Sequence, residues 1–109
     1  MQIQTTTQHN FNNQCAVVTG GAQGIGGAVS SRLAASGARV AIWDIEPDAI
    51  AAAEAAMGPS VKGFVVDISD EASVEAGLQA TVEWAGPVSI LVNSAGIAGP
   101  NALVAEYDT

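Results

Sequence analysis

A short run of small and β-branched residues, Cys15-Ala-Val-Val-Thr19, stops abruptly at Gly20-Gly21 and gives way to a helical pattern. Ile25, Ala28, Val29 and Leu33 recur at the i, i+3, i+4, i+8 spacing of one helix face, and Ser36-Gly37 ends the pattern. A strand without polar alternation has to be covered on both faces, and a helix entered through a glycine turn has to pack close to it. These demands point to a helix-covered, parallel sheet of the α/β class.

The unit then repeats. Arg39-Val-Ala-Ile-Trp43 reads as a second strand closed by Asp44. Pro47 suits the first turn of a second helix, with Ile50, Ala53 and Met57 on one side and Gly58-Pro59 at its end. Gly63-Phe-Val-Val-Asp67 reads as a third strand, again closed by an aspartate. Ser69 is the expected cap of a third helix, and Asp70 and Glu71 favour its positive end. Its expected inner stripe is Val74, Leu78, Thr81, Val82 and Ala85, and Gly86-Pro87 breaks it before a fourth strand, Val88 to Val92. After Asn93 the pattern dissolves into Gly96, Gly99 and Pro100. Alternation of this kind implies parallel strands joined by right-handed helical crossovers. The expected organisation is a flexible tail over residues 1–13 and one domain over residues 14–109.

Charge narrows the partners. Eleven acids stand against Arg32, Arg39 and Lys62, for a net charge of −8. No basic cluster exists to hold nucleic acid or an anionic membrane. No apolar run approaches the roughly 20 residues of a membrane span. Residues 1–13 carry neither an early positive charge nor an apolar stretch, so no secretory signal is expected and the expected location is cytoplasmic. Cys15 is the only cysteine, which excludes an intrachain disulfide or a thiolate metal cluster; it reads as a small buried residue. His9 stands alone in the polar tail and reads as solvated, and no metal site is expected.

The loop Thr19-Gly-Gly-Ala-Gln-Gly-Ile-Gly26 lies where a phosphate would be bound, between a strand and a helix start. A pyrophosphate needs backbone N–H donors and close main-chain approach, which a Cβ would obstruct. With no basic residue nearby in sequence, amides and the helix dipole must supply all of the attraction. The spacing of Gly20, Gly24 and Gly26 is G-x-x-x-G-x-G, which differs from G-x-G-x-x-G, and no Gly-Lys-Ser/Thr follows as in a nucleoside triphosphate loop. Taken alone, the loop has another reading, a tight turn that lets helix and strand pack.

Two acids add to it. At the end of the second strand, Asp44 can hydrogen-bond the ribose hydroxyls of an adenosine and would repel the additional phosphate of NADP. Unit charges close together near a protein surface interact by up to ~4 kcal/mol before salt screening. The other reading of Asp44 is a solvated strand end. Asp67 is placed to meet an adenine ring, or else is a helix-start residue near Ser69. Asn93 to Gly96 would lie on the same carboxyl-terminal sheet edge, where ligands of open α/β folds bind.

Together, Thr19-Gly20-x-x-x-Gly24-x-Gly26, the strand-end Asp44, Val66-Asp67 and Asn93-Ser94-Ala95-Gly96 resemble the short-chain dehydrogenase/reductases, in order and from about Cys15 to Gly99. The resemblance implies a Rossmann-type doubly wound parallel sheet whose strands present here take the order 3-2-1-4, with three helices. It implies that Gly20, Gly24, Ile25 and Gly26 cradle the pyrophosphate of NAD. Asp44, with Ile45 beside it, would hold the adenosine ribose, and Asp67 with Ile68 would border the adenine. Gln23 stands where many NADP-dependent members have a basic residue. Asn93, Ala95 and Gly96 would steady the fourth strand and line the cofactor, with Ser94 replacing the family's second Asn.

Members of this family transfer hydride with a Ser, a Tyr and a Lys in Tyr-x-x-x-Lys, further along than residue 109. Tyr107 is the only tyrosine, and a lysine four residues on would be residue 111. No catalytic residue is therefore expected in this chain, which reads as the cofactor-binding half of an NAD-dependent alcohol or polyol dehydrogenase, or of a carbonyl or 3-oxoacyl reductase. Alone it is expected to be inactive. Its expected partners are a small alcohol or ketone substrate and, at full length, further copies of itself. The alternative is a non-catalytic module that binds NAD or another nucleotide. In the family's sheet a fifth strand follows the fourth, so Val88 to Val92 is expected to form an exposed apolar edge prone to self-association.

Overall fold

The structure, a computed structural model, describes residues 12–94. Four strands, β1 (Cys15–Thr19), β2 (Arg39–Asp44), β3 (Val61–Val65) and β4 (Ile90–Asn93), alternate with helices α1 (Gly24–Ala35), α2 (Pro47–Met57) and α3 (Glu71–Ala85). The sheet has the order β3-β2-β1-β4, and every pairing is parallel. This is the doubly wound α/β arrangement expected from the sequence.

Residues alternate between the two faces of the sheet. Val18, Val40, Ile42 and Val92 pack with Ile50 and Ala53 of α2, and Val29, Leu33 and Ala34 of α1 close over them. Val17, Ala41 and Trp43 face the other way, with Val74 and Trp84 of α3. Among the described residues no helix is long and apolar enough to cross a membrane. Nor do any three His, Cys, Asp or Glu side chains among them group as a metal site would require. Cys15 is buried, and desolvation raises its thiol pKa against the opposing field of Arg39.

Three local expectations need correction. The third strand runs two residues earlier than its apolar run indicates, because its partner β2 ends where Asp44 stands opposite Val65. The Val66 N–H makes one more bond to the Asp44 carbonyl (3.0 Å), and Asp67 then lies in a turn. The fourth strand begins at Ile90, since the Ser89 hydroxyl rather than a backbone carbonyl accepts the Cys15 N–H at 3.2 Å. Asp70 is the cap of α3, its carboxylate accepting from the Ala72 N–H at 3.1 Å, while the Ser69 hydroxyl donates to Asp67 instead.

The largest difference is the inner face of α1. Gly26, Gly27 and Ser30 are buried, whereas Ile25 is 65% exposed. The first turns of the helix lie so close to the Gly20–Ala22 loop that only small side chains fit there, and the Ser30 hydroxyl donates to the Gly21 carbonyl at 3.0 Å, while Val29 and Leu33 still pack on the core. On the opposite face, α3 likewise turns Gly77 and Thr81 inward and leaves Leu78 and Val82 exposed. A depression of about 560 Å³ lies there, lined among others by Leu78, Val82, Val88 and Leu91. Among the described residues β4 pairs with β1 and with no other strand.

Thr81 is buried because it serves Trp43, whose indole N–H donates to the Thr81 hydroxyl at 3.0 Å. The substitution Thr81→Val keeps the shape but strands a buried donor, a cost of about 1–3 kcal/mol. Thermal unfolding should register a fall of several degrees, since each kcal/mol moves the midpoint by about 4–8 °C in a domain near this size. An unchanged midpoint would show that the indole finds another acceptor.

Candidate dinucleotide-binding site

The carboxyl ends of all four strands open into one cleft of about 440 Å³. Gly20 and Gln23 come from the loop after β1, and Trp43, Asp44 and Ile45 from the end of β2. Val66, Asp67, Ile68 and Ser69 follow β3, and Ser94 follows β4. Six sequence-derived candidates are thus brought together: Gly20, Gln23, Asp44, Ile45, Asp67 and Ile68. Gly24, Ile25 and Gly26 form the adjoining first turn of α1.

The loop is shaped for close approach. At Gly20 the chain takes φ +64°, a left-handed conformation that disfavours any Cβ. At Gly26 an added Cβ would meet the Gly20 carbonyl oxygen directly and lie 2.7 Å from the Ser94 hydroxyl. Gln23 caps α1 without a side-chain hydrogen bond, and no acid occupies the first turn. A helix start of this kind, with its first amides and the positive end of its dipole, has the chemistry to attract an anion.

Asp44 is held in a fixed orientation. Its Oδ1 accepts from the N–H groups of Ile45 (2.8 Å) and Glu46 (3.2 Å), and its Oδ2 accepts from the Ala22 N–H at 3.4 Å. The carboxylate is thereby turned from β2 toward the glycine loop. Asp67 lies at the cleft and at the turn before α3. It lines the cleft, and its Oδ1 accepts from the Ser69 hydroxyl (2.6 Å) and the Ser69 N–H (3.0 Å). The Ser69 hydroxyl, and after it the Ser69 N–H, hold the Asp67 carboxyl below its ordinary pKa. Ile45 and Ile68, 60% and 40% exposed, offer aliphatic surface within the same cleft, suited to a flat ring.

Asn93 does something different from its neighbours. Its Oδ1 accepts from the Thr19 hydroxyl at 2.8 Å, tying the ends of β1 and β4 together below the cleft. Ala95, Gly96, Tyr107 and residues 1–11 of the tail lie outside the described residues. Trp43, Val66, Ser69 and Ser94 also line the cleft and were not among the candidates. Val66 and Ser94 stood within the motifs that carry the family resemblance, while Trp43 and Ser69 were marked only by adjoining a candidate.

The three cations are far from this edge in the fold. Arg32 is in the last turn of α1, Arg39 opens β2 and donates to the Trp84 carbonyl, and Lys62 on β3 lies over Phe64. The cleft therefore combines amide donors, a helix start and a fixed carboxylate, with no positive side chain lining it.

Comparison with known proteins gives the same direction. The chain is 40% identical over 97 residues to 2-dehydro-3-deoxy-L-rhamnonate dehydrogenase (NAD(+)) of Sphingomonas sp. (strain SKA58), covering 89% of this chain and 39% of that protein. It is 41% identical over 91 residues to D-threitol dehydrogenase of Mycolicibacterium smegmatis, covering 81% and 35%. It is 37% identical over 99 residues to the 3-oxoacyl-(acyl-carrier-protein) reductase of Escherichia coli (strain K12), covering 91% and 41%. The chain thus spans 35% to 41% of the length of these curated relatives. The family model of the short chain dehydrogenases matches residues 14–109. With its sheet order, its glycine loop and this match, the chain belongs to the short-chain dehydrogenase family.

Proposed function

We propose that this chain binds NAD(H) and supplies the cofactor-holding part of an oxidoreductase, of the alcohol or polyol dehydrogenase type or the carbonyl or 3-oxoacyl reductase type. The observation that carries the choice of NAD is Asp44. Its carboxylate faces the loop from the end of β2, where it would accept hydrogen bonds from ribose hydroxyls and repel a phosphate on the same ribose. The absence of a cationic side chain from the cleft lining supports the same choice, because nothing there would compensate an additional phosphate.

The residues present fit a dinucleotide. At Gly24 an added Cβ would meet no described atom within 4 Å, so the main chain there is open to a pyrophosphate, which the first-turn amides of α1 would hold. Ile45, Ile68 and Asp67 would flank the adenine. A bound nicotinamide would supply hydride transfer to or from a carbinol carbon. This chain's residues would bind and orient that cofactor; they would not transfer the proton, so the 109-residue chain should bind without turning over substrate. The names of the relatives, which include dehydrogenases and a reductase, support the oxidoreductase reading. The proposal extends to a small alcohol or ketone as substrate, to a homo-oligomer for the full-length protein and to the cytoplasm as its location.

Titration calorimetry with NADH and NADPH tests the reading. NADH is expected to bind at least tenfold more tightly, which requires only about 1.4 kcal/mol of the repulsion available to Asp44. Equal affinities, or a preference for NADPH, would overturn the assignment.

A further inference from the structure

The peptide that joins Thr19 to Gly20 is held at both ends. Its carbonyl accepts the Ser94 hydroxyl at 2.6 Å, and its N–H donates to the Trp43 carbonyl at 2.6 Å. One bond runs toward the β4 side of the sheet and the other toward β2, so together they fix the plane of the peptide. This is the point at which β1 leaves the sheet and the chain enters the left-handed turn at Gly20.

Ser94 also reaches the far end of the loop. The 2.7 Å separation between its Oγ and a Cβ built on Gly26 places the hydroxyl against the first turn of α1. One hydroxyl thus borders both the residue where the loop starts and the residue where the helix takes over. Simple stapling of β4 to β1 does not require it. The strand pairing, the Thr19–Asn93 side-chain bond and the Ser94 N–H on the Thr19 hydroxyl at 3.0 Å already do that.

We infer that Ser94 is a positioning residue for the phosphate loop, its hydroxyl setting the plane of the Thr19–Gly20 peptide and hence the direction of the loop amides. This rests on the proposed reading of the loop as a pyrophosphate cradle. Without the hydroxyl, the Thr19 carbonyl keeps from Ser94 only the N–H at 3.3 Å. The peptide can then tilt about its remaining bond to the Trp43 carbonyl, and the N–H groups downstream swing off the line that a phosphate oxygen needs. Hydrogen bonds weaken steeply as that angle closes. The adenosine end of the cleft is built from β2 and the segment after β3; it touches the loop through the Trp43 carbonyl and the Ala22–Asp44 bond, so it depends less on this peptide.

The test separates the two ends of the ligand. NMR titrations of the 109-residue chain with NADH, ADP and adenosine are compared with those of Ser94→Ala. The expected result is about a tenfold loss for NADH and ADP, the scale of one well-made hydrogen bond, with adenosine changed less than twofold. An equal loss for all three ligands would reduce Ser94 to a structural staple and overturn the inference, as would no loss for any. A wild-type chain that bound neither NADH nor ADP would overturn the cofactor reading, and this inference with it. Should Ser94→Ala not fold, hydrogen exchange of the wild-type chain decides. The Gly20 amide is expected to be as protected as those of β1 before ligand is added, and rapid exchange there would overturn the inference.

Discussion

Gly26→Val is expected to abolish NADH binding, by more than 100-fold in Kd, and to lower the unfolding midpoint by at least 10 °C. The first atom of the new side chain would meet the Gly20 carbonyl oxygen, which belongs to a backbone already bonded to β2. Its second neighbour, the Ser94 hydroxyl, is committed to the Thr19 carbonyl. Neither can yield cheaply, so the helix must move away from the sheet. Overpacking costs typically about 1–3 kcal/mol, and more where backbone is the obstacle. At about 4–8 °C per kcal/mol the thermal shift follows. The binding loss is larger than stability alone would give, because the displaced first turn of α1 carries the amides that would face the phosphates. Differential scanning calorimetry and NADH titration measure the two effects. Binding within twofold of wild type would place the pyrophosphate elsewhere.

Asp44→Ala is expected to lower the NADH-to-NADPH preference about 100-fold, mostly by weakening NADH. Hydrogen bonds to a charged group contribute about 1.5–3 kcal/mol, so their loss weakens NADH by roughly ten- to a hundredfold. Relief of repulsion acts only on NADPH and moves the ratio further. The same carboxylate orders the Ile45–Glu46 turn and touches the Ala22 N–H, so NADH should lose more than the ribose contacts alone account for. Calorimetric Kd values for both cofactors give the ratio directly. A ratio that moved less than threefold would remove Asp44 from the ribose site.

How much of this was legible in the sequence depended on which physical constraint each residue obeys. The alternation of strands and helices was legible because continuous apolar runs such as Ala16 to Val18 and Val40 to Trp43 are forced into a sheet covered on both sides. Asp44 was legible for a related reason, since a charge that ends such a run must lie at the sheet edge. Ile25 misled. Periodicity finds large apolar residues, while a helix pressed against a sheet selects small ones, and Gly26, Gly27 and Ser30 carry no hydrophobic signal.

The cap of α3 was ambiguous between two neighbours that are both good acceptors. A hydrogen bond from Ser69 to Asp67 decided it, and that bond depends on how the chain turns after β3. The start and end of β3 were hidden for a similar reason. At Gly63 the missing side chain makes room for an Ile50 methyl group, and the Gly63 N–H donates to the Glu54 carboxylate at 2.6 Å. Such boundaries are set by pairing partners distant in the chain. Ser94 appeared in the sequence only as a departure from a motif; its role required knowing that Thr19 and Gly26 converge on it.

A phosphate gripped by lysine or arginine is released as salt screens the pair. The cleft described here would grip an anion through amides and a helix end at contact distance, while Arg32, Arg39 and Lys62 do not line it. The net charge of −8 meanwhile pushes anions away at longer range. Only the longer-range part is screened once the Debye length falls to ~10 Å at 0.1 M salt. The affinity of such a cleft for an anionic ligand should therefore depend on ionic strength much less than that of a lysine- or arginine-lined site.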